Sequence, residues 1–120
     1  MAGPDHLVMC RAACDRAEQD FPYGAVDQLL RRLPPGTTGL GELVHALTPT
    51  ASPFAVGADL LDVLAAVADT APLAVLVDDV PWADDHSLKA LAFVLRRCYA
   101  ERLLVVLTAR TPGTVGSDVP

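Results

Sequence analysis

The run Leu73-Ala-Val-Leu-Val77 is apolar without a break, and two carboxylates, Asp78 and Asp79, close it. An apolar stretch with no polar alternation predicts a strand covered on both faces of a parallel sheet. The acids then fall at the carboxyl end of that strand, where open α/β sheets place their ligands. Val80-Pro81-Trp82-Ala83 reads as a turn, and Asp84 or Asp85 as the cap of a following helix. The residues alone leave two meanings for the acid pair. It is either a cation-holding site at a strand tip or the acidic lead-in to a helix.

Upstream, Val56, Leu60, Val63, Leu64 and Val67 recur at the helical period, predicting a helix from about Phe54 to Asp69 with Asp59, Asp62 and Asp69 away from the core. Thr70-Ala71-Pro72 ends it and feeds the central strand. Nearer the start, Leu7 to Cys10 predicts a first strand, and Phe21-Pro22-Tyr23-Gly24 is turn chemistry. Phe21 and Tyr23 are expected to pack on the next helix, which runs from Gly24 or Ala25 to Leu33 with Val26, Leu29, Leu30 and Leu33 on one face. Pro34-Pro35-Gly36 stops it. Gly39 to Leu47 is a candidate short amphipathic helix within a turn-rich segment. Beyond the acids, Leu88, Leu91, Leu95 and Cys98 predict the buried stripe of a further helix, and Leu103 to Leu107 an all-apolar strand ending on Thr108 and Arg110.

The chain has 120 residues, 52% of them hydrophobic and 20% charged, which bounds it to one small globular domain. A net charge of -6 argues against a general nucleic-acid surface. No apolar run approaches the roughly 18 residues needed to span a bilayer, and no signal peptide opens the chain, so cytoplasmic residence is expected. Cys10, Cys14 and Cys98 read as reduced thiols, and His6, His45 and His86 are scattered without ligand spacing.

Taken in order, these pieces resemble a known family. A strand closed by two acids is the Walker B pattern of P-loop nucleotide hydrolases. The run Asp78-Asp79-Val80-Pro81-Trp82-Ala83-Asp84, with Ser87-Leu88 and Leu91 after it, resembles the large ATP-binding regulators of the LuxR family. These are signal-transduction (STAND) ATPases related to AAA+ proteins. Glu18 to Leu30, with its Phe-Pro, is similar to the family's acidic segment, and Leu103 to Arg110 to its sensor strand. The resemblance implies an α/β, three-layer, P-loop NTPase-like fold over 1–110; residues 111–120, rich in Gly, Pro, Ser and Thr, are expected to form a flexible tail. It implies that ATP and Mg²⁺ are the cofactors of an intact relative. Asp78 would then position Mg²⁺, Asp79 would polarise the attacking water, and Arg110 would sense the terminal phosphate. Arg110 has an equally simple alternative as a solvated strand end. Asp84 is expected to cap a helix rather than act as an acid, and Trp82 to anchor the turn by packing.

No Gly-x-x-x-x-Gly-Lys-Ser/Thr occurs in the sequence. That loop supplies the amides and lysine that grip phosphates. In the family it lies upstream of the residues present here, so ATP binding by this chain is expected to be weak or absent. The family's strand order of 5-1-4-3-2 implies a three-stranded remnant, with the Asp78 strand in the middle and Leu103 to Leu107 as a bare edge. An apolar edge invites self-association. The competing class is a non-catalytic interaction module built on the same sheet. A receiver domain also places acids at strand ends, but it needs a further acidic pair after an early strand, and Leu7 to Cys10 is followed by Arg and Ala.

Overall fold

A computed structural model of the chain describes residues 7–98 and 102–109. Three parallel strands form one sheet in the order β1-β2-β3: β1 is Val8–Ala13, β2 Leu73–Asp78 and β3 Leu103–Leu107. Between β1 and β2 come α1 (Gly24–Arg31), α2 (Leu40–Ala46) and α3 (Pro53–Ala68). A single helix, α4 (Asp85–Arg97), links β2 to β3. Two short 3₁₀ turns, Arg16–Glu18 and Val80–Trp82, follow the tips of β1 and β2. The protein is thus α/β, with the acid-tipped strand in the middle of the sheet.

In a parallel pair, residues in register point to the same face, which makes the layering readable from burial. Cys10, Ala12, Leu73, Val75 and Val77 share one face and are buried. Val8, Leu103 and Val105 pack beside them. The helices lie on this side: α3 packs on β2 and β3, α1 on β1, and α4 against α3. On the opposite face Met9 is 57% exposed, Leu104 60% and Val106 40%, while Ala74 and Leu76 are half-buried. Among the described residues, helices therefore cover one face only. The expected three layers are corrected to two. The resemblance implied three layers and the unbroken apolar run cover on both faces, but such a run does not say how many faces a cover reaches. Ala74 and Leu76 lose part of their exposure because side chains of two flanking strands shade them.

β1 runs three residues beyond the expected Cys10. Arg11 and Ala13 fall on the open face, so a charged side chain does not stop the strand there. The helices largely follow their periodicity: α1 buries Val26, Leu29 and Leu30, and α3 buries Val56, Leu60, Val63, Leu64 and Val67. Pro53 sits in the first turn of α3, where its missing N–H has no partner to lose, and the Ser52 side chain caps Ala55 N.

The stripe of α4 is rotated from the expectation. Ser87, Ala90, Leu91 and Val94 are buried, Leu95 is exposed and Leu88 is partly buried. The cause is a close helix crossing. A Cβ on Gly57 would stand 2.8 Å from Phe93 Cβ and 3.0 Å from the Ala90 carbonyl oxygen. Small residues at 57 and 90 let the backbones approach, and that contact decides which face of α4 turns inward.

Candidate functional site

The three strand tips converge at the carboxyl end of the sheet. Pairing of β1 with β2 sets Ala13 beside Asp78, and Cys14 N donates to Asp78 O at 3.0 Å. On the other side, Thr108 N donates to Val77 O at 2.9 Å. Thr108 Oγ1 then donates to Asp78 Oδ1 at 2.7 Å. The same hydroxyl accepts from Asp79 N at 3.1 Å, and Thr108 O accepts from Val80 N at 2.8 Å. One threonine at the end of β3 therefore fixes both acids.

Asp79 has φ 57° and ψ 51°, a left-handed backbone that aspartate tolerates better than most residues. This reversal turns the chain out of β2 into the Val80–Trp82 turn. It puts Asp78 and Asp79 on the same tip with different backbone directions. Arg110 lies outside the described residues.

Asp78 also forms an ion pair and hydrogen bond from its Oδ2 to Arg11 Nη2 on β1. Arg11 and Asp78 are diagonal neighbours on the open face, since Arg11 stands opposite Leu76. Both carboxylate oxygens of Asp78 are thereby engaged, one by a hydroxyl and one by a guanidinium. Among the described residues, no group of three or more His, Cys, Asp or Glu side chains is placed to hold a metal. A divalent cation at Asp78 would share the carboxylate with Arg11 and Thr108, and no glycine-rich phosphate loop exists in the sequence to complete its shell. Among the described residues, no set of side chains makes a self-sufficient Mg²⁺–ATP centre around Asp78.

Asp84 does more than the sequence suggested. It is 3% exposed and caps α4 by accepting from Ser87 N at 2.8 Å. It also accepts from Tyr23 N at 2.7 Å and Ala25 N at 3.1 Å, at the start of α1. Ser87 Oγ accepts from Val26 N at 3.0 Å. Tyr23, the residue before α1, has a left-handed backbone and offers no side-chain cap, so the caps come from another helix. Tyr23 is fully buried as expected, its hydroxyl donating to Ala51 O at 2.6 Å, whereas Phe21 is exposed. Trp82 is half-buried, with the Arg16 guanidinium 4.6 Å from its ring centroid.

Charge gathers around this end. Burial, and then the nearby Asp84, Asp79, Asp78 and Glu18, push the Cys14 thiol up to about 11. Burial alone accounts for most of the rise of Cys10 to about 11. Neither thiol is a ready nucleophile at neutral pH.

Comparisons with protein-family models, with curated proteins and with solved structures return no match to this chain. The site's meaning rests on its own geometry. Arg11 was missed from sequence. Its signal was a lone cation in an apolar run, four residues past the expected strand start. The double cap by Asp84 was missed too, although the lack of any capping residue before α1 pointed to a donor elsewhere.

Proposed function

We propose that this chain is the Walker B and sensor-strand portion of a STAND-like ATPase domain from a LuxR-family regulator, acting in the cytoplasm. The observation that carries this reading is the hydrogen bond from Thr108 to Asp78, which couples the acid of the middle strand to the tip of its neighbour. A nucleotide switch needs that coupling, because the acid that meets the cation must report to a second strand. In this assignment Asp78 is the Mg²⁺ position of an intact domain, Asp79 the acid beside the attacking water, and Arg110 the sensor of the terminal phosphate. Asp84 and Ser87 join the helix after the acids to the helix before them.

In the chain as it stands, ATP binding is weak or absent, because the sequence holds no glycine-rich Lys-Ser/Thr loop to grip the phosphates and Arg11 engages the acid. The test is the DNA upstream of Met1. An in-frame apolar strand followed by a glycine-rich Lys-Ser/Thr loop supports the assignment. A reading frame with no such loop overturns it.

One observation favours a second reading. Asp78 is satisfied within the chain by Arg11 and Thr108, as in a structural polar clamp. On that reading the sheet serves as a non-catalytic module pairing with other chains through β3. Asp78→Asn separates the two: it abolishes Mg²⁺-dependent ATP binding by the extended chain in the first and leaves partner binding unchanged in the second.

A further inference from the structure

Away from the strand tips, a groove of about 460 Å³ runs between the start of α3 and the outer face of α4. Its floor is apolar: Pro53, Phe54, Ala92 and Phe93, with the two phenylalanine rings edge to face at 5.9 Å. Its rim is cationic: Lys89, Arg96 and Arg97. Among the described residues, no acidic side chain lines it. Three of the nine basic residues of a chain with net charge -6 thus border one cavity.

Phe54 is 72% exposed, more than any other large hydrophobic residue described, and a ring left that open at a concave site is an unmet contact. Arg97 is held in place by its own packing, the guanidinium 4.0 Å from the Phe93 ring centroid. Among the described residues, neither Arg96 nor Arg97 forms an ion pair. Lys89 pairs with the exposed Asp85 one turn earlier, outside the groove lining. Residues 89, 92, 93, 96 and 97 lie one and two turns apart on α4, so the rim charges span about 12 Å.

We propose that this groove docks a short acidic peptide segment of a partner protein, with one bulky apolar side chain inserted between Phe54 and Phe93 and carboxylates paired to Arg96 and Arg97. Charge complementarity selects the occupant. An apolar anchor alone would meet the ring pair but leave two guanidinium groups unpaired, and a basic segment would be repelled. A concave site of about 460 Å³ favours a peptide over an anionic bilayer, whose surface is flat and would also face the chain's overall negative charge.

Fluorescence anisotropy tests this with a labelled octapeptide of Asp and Glu around a central Leu, and a matched peptide with Lys in place of the acids. The expected result is saturable binding of the acidic peptide only, weakened at least tenfold by Arg96→Glu and by Phe54→Ser, and weakened on raising salt from 50 to 500 mM. Both side chains are exposed, so each variant keeps its far-UV circular dichroism. Binding of the acidic peptide that ignores both substitutions overturns the proposal. So does binding of phosphatidylserine vesicles in place of the peptide, or the absence of peptide binding by the folded protein.

Discussion

Asp84 Oδ2 accepts the backbone amide of Tyr23 at 2.7 Å across 61 positions of sequence, while the same oxygen accepts Ser87 N at 2.8 Å. A single buried carboxylate therefore starts two helices. The amides of two helix N-termini are what stabilise an uncompensated negative charge with little solvent.

Removing it exposes the linkage. Asp84→Ala leaves Tyr23 N, Ala25 N and Ser87 N without this acceptor, and should cost roughly 3 kcal/mol of unfolding free energy. Asp85→Ala, one residue on and exposed, should change stability by less than about 0.5 kcal/mol. Urea unfolding followed by circular dichroism reads both. Equal effects would show that Asp84 is not the shared cap.

The crossing of α3 and α4 predicts an unusual sensitivity to a single methyl group. Gly57→Ala places a Cβ against Phe93 and the Ala90 carbonyl, and helix propensity alone would make it stabilising. Overpacking wins, and the variant should lose about 1–3 kcal/mol. An increase in thermal midpoint would show that the two helices separate without cost.

At the strand tips, Thr108→Val removes the hydroxyl that holds Asp78 and the Asp79 amide, and should cost about 1 kcal/mol. Arg11→Met should cost less than about 0.5 kcal/mol, since the Arg11 side chain is half exposed. A chemical denaturation series ranks them, and a larger loss for Arg11→Met would reverse which contact organises the acid.

Legibility from sequence followed the range of each signal. Helical period placed α1 and α3, and the apolar run placed β2, because both are local patterns of side-chain type. The middle position of β2 and the edge position of β3 came from the resemblance rather than from any residue pattern. What was not legible depended on contacts between distant elements. The phase of α4 was set by Gly57, 33 positions before Ala90, and periodicity on α4 itself offered Leu95 as readily as Val94. The bare face was hidden because Leu73 to Val77 is apolar at every position, covered or not. Arg11 looked like the end of a strand because its partner, Asp78, is brought to it only by the sheet register. The acids themselves were legible as a strand-tip pair, but not the clamp of Arg11 and Thr108 around Asp78.

Raising pH should unfold the protein earlier than its other groups demand. Cys10 and Cys14 titrate near 11 in the fold against an ordinary value of 9.0, and burial raises Tyr23 above 10.0 as well. A raised folded value means the neutral form is favoured in the fold. The associated stability is complete below about pH 9 and is lost as pH climbs toward 11. Thermal midpoints should therefore be flat from pH 7 to 8.5 and fall above 9. A midpoint that rises across pH 9 to 11 would reverse the sign.

Leu104 and Val106 on the edge strand β3, with Met9 on the same open face of β1, predict self-association at about 100 µM. Leu104→Lys with Val106→Lys should shift sedimentation toward monomer without lowering helix content. A wild-type chain that sediments as a clean monomer would show that neither edge nor face is adhesive.

Asp78 and Asp79 sit at the tip of the middle strand, and the sequence holds no glycine-rich Lys-Ser/Thr loop to grip a phosphate beside them. Isothermal titration of ATP with Mg²⁺ into the 120-residue chain tests this most directly. The predicted result is no binding tighter than about 100 µM, equivalent to roughly -5.5 kcal/mol. Micromolar binding that disappears in Asp78→Asn would contradict it.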